Sequence, residues 1–428
     1  MFAQRRIPHL ITLFCISMLL LFVFSSFNLS LGQESEIWMK TIGGTNNDDC
    51  SSALIAPDGG YMLAGYTSSF GAGETDVWLV KTDITGNMEW NRTYGGALND
   101  DAQFMVRIND GYLIAARTYS FGEGDADLWL IKTDFNGNMI WNRTYGGPGA
   151  DWIWSIVESS DGGYSMVGRT NSFGAGNNDF WLIKTNSEGL LEWNKTIGHE
   201  GDERARFLVN TEDDGLLLLG WTNSIGEGEV DYWLVKTDYN GNPQWNKTYG
   251  GEMGDRGIVI KKTNDSGYIL GGSSSSFGAG NSDIWLVRID GQGNEIWNKT
   301  YGGLEGESIR SLLITNDGGY VIAGYTYSFG AGDRDGWFLE IDPTGTVLWN
   351  QTYGGIGREL IQSLQKNEQG GYLLAGFSSS TIEADTDIML IKSDSLGVIP
   401  EFPSVQSLLV VAMILTLIMV ICKNKLRN

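Results

Sequence analysis

Histidine is nearly absent from this 428-residue chain, which has two copies, and cysteine and proline are scarce at three and seven. With His9 near the start, His199 is the one histidine of the body, so a histidine metal cluster lacks ligands and any Ser-His-Asp arrangement depends on that ring. Cys15 and Cys422 fall in apolar terminal segments and leave Cys50 alone, which excludes a disulfide framework or a cysteine metal cluster within one chain. Positive charge is short as well. Residues 33–400 carry 51 of the 52 Asp and Glu but only 24 of the 29 Lys and Arg, a net charge of −27. Such a body repels nucleic acid and anionic lipid, and it suits cations, sugars or a basic protein face.

The two long apolar runs lie at the ends. Arg5 and Arg6 precede Leu10 to Phe27, the charged start and apolar middle of a secretory signal over residues 1–32. Residues 407–422 form a second run, somewhat shorter than the ~20 residues of a comfortable membrane span. Lys423, Lys425 and Arg427 follow it in a basic tail, residues 423–428, which belongs on the cytoplasmic side. The expected protein is therefore a single-pass surface protein with its body outside, held to the cell membrane by the C-terminal helix. Within the linker 396–406, Pro400-Glu401-Phe402-Pro403 followed by the apolar helix and basic end resembles the PEF-type C-terminal sorting signals of archaeal surface proteins. The resemblance implies processing by a sortase-like membrane enzyme; a plain membrane anchor is the other reading.

Between the ends the chain repeats itself seven times. Trp38, Trp90, Trp141, Trp193, Trp245, Trp297 and Trp349 open near-identical segments such as Trp90-Asn-Arg-Thr-Tyr-Gly-Gly. A period of about 50 residues marks an array whose units bury their apolar faces against one another. Each unit holds four short runs rich in β-branched and aromatic residues, closed by Gly, Asn or Asp, as in Tyr268-Ile-Leu-Gly-Gly and Asp283-Ile-Trp-Leu-Val. That is the pattern of antiparallel strands joined by tight hairpins, and no helical period interrupts it. The fold class read from it is all-β, a seven-bladed β-propeller of four-stranded antiparallel blades over residues 33–395. The first strand, Glu36 to Ile42, matches the fourth strand of each unit, and the last, Asp387 to Ser393, matches the third. The N-terminal strand is thus expected to complete the final blade and close the ring.

Lys81-Thr-Asp-Ile-Thr-Gly-Asn-Met-Glu-Trp90 and its copies resemble the tryptophan-docking motif of quinoprotein-like propellers, in which Asp, Gly and Trp lock adjacent blades. The resemblance implies quinone-dependent dehydrogenation as one enzyme class, but the adjacent-cysteine pair many such enzymes place against the cofactor is missing here.

Candidate residues fall on the rim that carries the longer Gly-rich loops. Asp48, Asp100, Asp151, Asp202, Asp255, Glu307 and Glu359 begin the innermost strands, and Asp76, Asp127, Asp179, Asp231, Asp283, Asp335 and Asp387 precede the third strands. The first set is a candidate ring for Ca²⁺ or another hard cation; otherwise each carboxylate accepts hydrogen bonds from its own loop. No other cofactor is expected. Function is better sought where the copies disagree. The first and third residues after each inner-strand acid are Asp49 and Ser51, Asp101 and Gln103, Trp152 and Trp154, Glu203 and Ala205, Arg256 and Ile258, Ser308 and Arg310, and Leu360 and Gln362. Odd offsets share a strand face, which points them into the central channel. Asp49, Asp101, Gln103, Trp152, Trp154, Arg256 and Arg310 are the ligand-site candidates, aromatic and charged groups that suit sugars or anions. Six sequons share one column, at Asn91, Asn142, Asn194, Asn246, Asn298 and Asn350, and are glycan acceptors on an exported protein.

No residue is nominated as catalytic. The expected function is a cell-surface binding module for a glycan, cation or protein ligand; a structural component of the envelope and a carbohydrate-active enzyme built on carboxylates alone are the alternatives.

Overall fold

The computed structural model describes residues 37–398, apart from 368–369, 380 and 382–383. The segments read as signal, sorting motif and membrane helix lie outside these residues. Among the described residues no helix is long and apolar enough to cross a membrane.

The described chain forms 28 strands, β1 to β28, in seven four-stranded antiparallel sheets. In the first complete blade β2 (Asp48–Ile55) pairs with β3 (Tyr61–Thr67), β3 with β4 (Asp76–Thr82), and β4 with β5 (Met88–Tyr94). The equivalent inner strands of the next five blades are β6 (Asp100–Ile108), β10 (Asp151–Glu158), β14 (Glu203–Asn210), β18 (Asp255–Lys262) and β22 (Glu307–Ile314). The last sheet holds β26 (Glu359–Lys366), β27 (Tyr372–Ser379) and β28 (Thr386–Ser393), and its fourth strand is β1 (Trp38–Ile42). Trp38 pairs with Lys392 and Ile42 with Ile388, so the expected closure is observed. Inner strand packs on inner strand all the way round, β26 against β2 included. Only complete closure removes the open ends of such an array.

Tryptophan fills the space between blades in two ways. Trp78, Trp129, Trp181, Trp233, Trp285 and Trp337, on the third strands, are buried. The opening tryptophans lie farther out. A Cβ at Gly137, on the next blade's hairpin, would strike the ring of Trp90, and the same relation joins Gly189 to Trp141 and Gly241 to Trp193. Gly137 has φ +74°, so glycine is needed there for its backbone as well as for the room. Tyr94 donates its hydroxyl to the carbonyl of Gly137, and Tyr249 donates to that of Gly293 at 2.6 Å. These contacts lock each outer strand to the following blade.

The two rims differ in how they are tied. On the upper rim, where fourth strands lead to inner strands, Asp100 N–H donates to the Thr75 carbonyl at 2.8 Å and Glu307 N–H to the Ser282 carbonyl at 2.7 Å, each across a blade junction. At the closing junction the backbone N–H of Thr386 donates instead to Asn47 Oδ1 at 2.9 Å. On the lower rim, tight Asp-Gly turns close the hairpins. Buried basic side chains at the ends of third strands meet them: Lys81 with Asp58 and Lys184 with Asp161 at 2.8 Å, and Lys236 with Asp213 at 2.9 Å.

The sequon column lies on the outermost strands. Asn142, Asn194, Asn246, Asn298 and Asn350 are exposed and Asn91 is half-buried. Asn142 Oδ1 accepts the indole N–H of Trp129 at 3.1 Å, and Asn246 and Asn298 accept those of Trp233 and Trp285 at 3.2 Å. Each of these asparagines thus satisfies a buried donor with its oxygen.

Candidate ligand site at the channel mouth

The seven inner strands surround the axis, and each carries a β-bulge at its third or fourth residue, at the same place in every blade. The bulged positions are Ser51, Gln103, Trp154, Arg206, Ile258, Arg310 and Gln362. A bulge adds one residue to one strand and re-aims a side chain. Trp152 and Trp154 consequently stay in contact, with ring centroids 5.7 Å apart, although the strand alternation is broken between them. Phe104 and Phe207, on strands two blades apart, meet edge to face at 5.8 Å, which shows that these faces turn toward the axis.

The inner-strand acids do not form a shared cage. Gly44 N–H donates to Asp48 at 2.6 Å, and the corresponding glycine N–H groups reach Asp100, Asp151, Asp255 and Glu307 at 2.8 Å and Glu359 at 3.3 Å. Ser120 and Ser172 donate to Asp100 and Asp151 at 2.7 and 2.6 Å. Each carboxylate is engaged by its own loop. Among the described residues no three His, Cys, Asp or Glu side chains group to hold a metal ion.

Asp202 does not belong to this ring. Glu203 takes the position, accepting from His199 N–H and Thr222 Oγ1 at 2.8 Å, while Asp202 pairs with Arg204 at 2.8 Å. Both residues are acidic and adjacent, but the loop has fixed length: four residues lie between Gly198 and Glu203, as four lie between Gly95 and Asp100. The channel-facing pair of this blade is therefore Arg204 and Arg206, whereas Ala205 is buried in the sheet. His199 contributes a backbone group and a ring 5.8 Å from that of Trp233.

The third-strand acids complete a pattern. A Cβ at Gly95 would collide with Asp76 Oδ1 and touch Asp100 Oδ2, and the equivalent glycine in every blade is bracketed by two carboxylates, down to Gly354 between Asp335 and Glu359. Burial raises the Asp127 carboxyl to about 6, helped by the charge of Asp151, and raises Glu359 to about 7. Burial also moves Asp179, Asp231 and Asp283 upward, each with its junction partner adding repulsion.

The channel mouth is where the blades differ. Each first-layer residue pairs in register with the next-to-last residue of the neighbouring second strand or close to it: Asp49 with Tyr66, Asp101 with Arg117, Trp152 with Arg169, Arg204 with Trp221, Ser308 with Tyr325 and Leu360 with Phe377. These second-strand partners are functional candidates that the sequence reading missed. Their signal was the same variation between copies, flanked by constant small residues and Thr or Ser.

Blades two to four gather the densest group. The guanidinium of Arg169 lies 4.0 Å from the Trp152 ring centroid and that of Arg117 lies 4.3 Å from it. Asp101 pairs with Arg117 at 2.8 Å and accepts from the Gln103 amide. Asp49 is buried, and burial lifts its carboxyl to about 7 against the pull of Arg334 and Arg310. Buried polar atoms around the mouth lack partners among the described residues: Trp152 Nε1 and Arg169 Nε in this group, Asp49 Oδ1 on β2, and Arg334 Nε in the β22–β25 blade. Such atoms are costly unless something bonds them. Arg256 is exposed at the mouth and stands apart from this group.

No protein family and no curated protein sequence matches this chain. Among solved structures it is similar to Sqt1 from Chaetomium thermophilum, at 11% identity over 80% of this chain and 83% of that one, with a TM-score of 0.47. It is similar to a 6-phosphogluconolactonase candidate from Bacteroides fragilis, at 12% identity over 86% and 98% of the two chains, TM-score 0.45. Puromycin hydrolase is similar at 12% identity over 86% of this chain and 57% of that one, TM-score 0.49. At these values no activity passes to this chain, and the architecture rests on the strand pairing.

Proposed function

We propose that the chain is an exported, membrane-tethered binding module that takes a glycan at the channel mouth. The single observation that carries this reading is the set of unpartnered polar atoms around the mouth: Trp152 Nε1 and Arg169 Nε in one blade and Arg334 Nε, beside the rings of Tyr325 and Phe377, offer donors, and Asp49 Oδ1 an acceptor. A sugar has hydroxyl groups that both donate and accept, as these atoms require. Arg117 and Arg169 cover the Trp152 ring, so a sugar meets guanidinium edges around the indole. Propellers serve widely as binding modules, and the variation confined to this mouth agrees with that use. The signal segment, the basic tail and the exposed sequons support a surface location. The mass of the native protein reads tail processing and glycan occupancy together.

The test is a glycan screen on the full-length protein. Saturable binding that Trp152→Ala weakens tenfold or more supports the reading, while binding indifferent to that substitution rejects it. A second reading, lateral packing in the envelope, is favoured by exposed apolar side chains along the outer strands, among them Ile140, Leu191, Ile296 and Leu348. Ordered assembly without any ligand dependence would support it.

A further inference from the structure

Below the mouth the channel carries cations and no carboxylate. Arg206 and Arg310 occupy bulge positions, and Lys261 points in from farther along β18. The remaining bulge positions, Ser51, Gln103, Trp154, Ile258 and Gln362, include no carboxylate. In a chain with 52 acids and 29 bases, cations without counter-ions are the exception that asks for a cause. On the lower rim Lys81, Lys184 and Lys236 each meet an aspartate at 2.8–2.9 Å. Arg206, Arg310 and Lys261 form no ion pair and no hydrogen bond among the described residues. They are held by ring faces instead. Arg206 lies 4.5 Å from the Trp154 centroid, Lys261 lies 5.2 Å from that of Phe207, and Arg310 lies 5.4 Å from that of Tyr325.

A ring face steadies a guanidinium through its flat side and leaves the N–H edge free. The free edges of Arg206 and Arg310 present the fork that matches a carboxylate, sulfate or phosphate. Enclosing like charges without compensation is unfavourable, and the effect is visible in each group. Burial together with the charges of Arg310 and Arg204 pulls Arg206 down to about 9, and burial lowers Arg310 and Lys261 as well. Asp49, the acid nearest Arg310, sits in the layer above and forms no ion pair with it.

We propose that Arg206 and Arg310 form an oxyanion site inside the channel, which receives the carboxylate, sulfate or phosphate of a ligand entering by the mouth. The proposal rests on the channel-mouth reading and adds the charge of what is bound. Calorimetric titration of the full-length protein with inorganic sulfate, and separately with glucuronate, tests it at low ionic strength. Saturable binding of at least one is expected, weakened tenfold or more in Arg206→Gln and in Arg310→Gln, and less in Arg206→Lys, which keeps the charge. The bound anion should also raise the melting temperature of the parent protein and not that of Arg206→Gln. Sulfate binding to the parent protein is read with no glycan present, so glycan binding and anion binding can fail separately. If neither anion binds, or if both Gln variants bind as the parent does, the oxyanion site is wrong even where the glycan reading stands.

Discussion

The same residue behaves in opposite ways on the two rims of this ring. At the upper rim acids stand in pairs on either side of a glycine, buried, and at six of the junctions burial moves the third-strand carboxyl up. Asp127 reaches about 6. At the lower rim aspartates cap hairpin turns: Asp134 accepts from the N–H groups of Asn136 and Asn138 at 2.8 Å, and Asp161 accepts from Lys184 at 2.8 Å. There the carboxyls move down, Asp83 through the bonds of Thr85 and Asn87, and Asp213 through those of Thr211 and Lys236, each to about 2. What differs is the neighbour and its sign, since turn donors and ammonium groups favour the anion, whereas burial beside a second carboxylate favours the proton.

Acid titration breaks the comparison most directly. The folded chain holds the upper-rim protons more tightly than the unfolded chain, whose aspartates titrate near 4. Their contribution is complete below about 4 and is lost as the pH rises through about 6 to 7, so the melting temperature should fall across that window. Lower-rim aspartates have the reverse sign and should matter only as the pH drops below about 4. A melting temperature that climbs steadily from pH 4 to pH 7 would contradict the upper-rim assignment. Asp127→Asn should flatten part of the slope.

Substitutions sharpen the contrast in decreasing order. Gly95→Ala puts a methyl group between Asp76 and Asp100 and should cost about 3 kcal/mol in chemical denaturation. Asp161→Ala removes the nearer of two carboxylates that face the buried Lys184 and should cost about 2 kcal/mol. Gly162→Ala, in the adjoining turn, meets nothing within 4 Å but sits at φ +79°, so only its backbone should object, by about 1 kcal/mol. Equal losses at Gly95 and Gly162 would mean that the crowding of the upper junction is not what requires glycine there.

Much of the fold was legible because a repeated unit states its own boundaries. The column of opening tryptophans gave the blade count, and the unmatched strands at the two ends gave the closure by β1. Strand parity was a weaker guide, since the bulge in every inner strand falls on the second of the two residues that parity assigned to one face. The misplacement at Asp202 has a chemical origin: two adjacent acids look alike in sequence, and only the distance from Gly198 selects Glu203. Arg206 escaped notice through the same slip. Tyr66, Arg117, Arg169, Trp221, Tyr325 and Phe377 were missed because variation was read along the inner strand alone, although pairing brings the second strand to the same mouth.

The pairing of β1 with β28 also orders events in time. Lys40 emerges from the ribosome about 350 residues before its partner Leu390, so the outermost strand of the last blade must wait, unpaired, while six complete blades are synthesised. Until that late meeting the nascent ring has two raw edges, and a chain threaded outward before folding would keep them apart from one another. Fastening therefore comes last in the folding of the ring, after every other blade has its four strands.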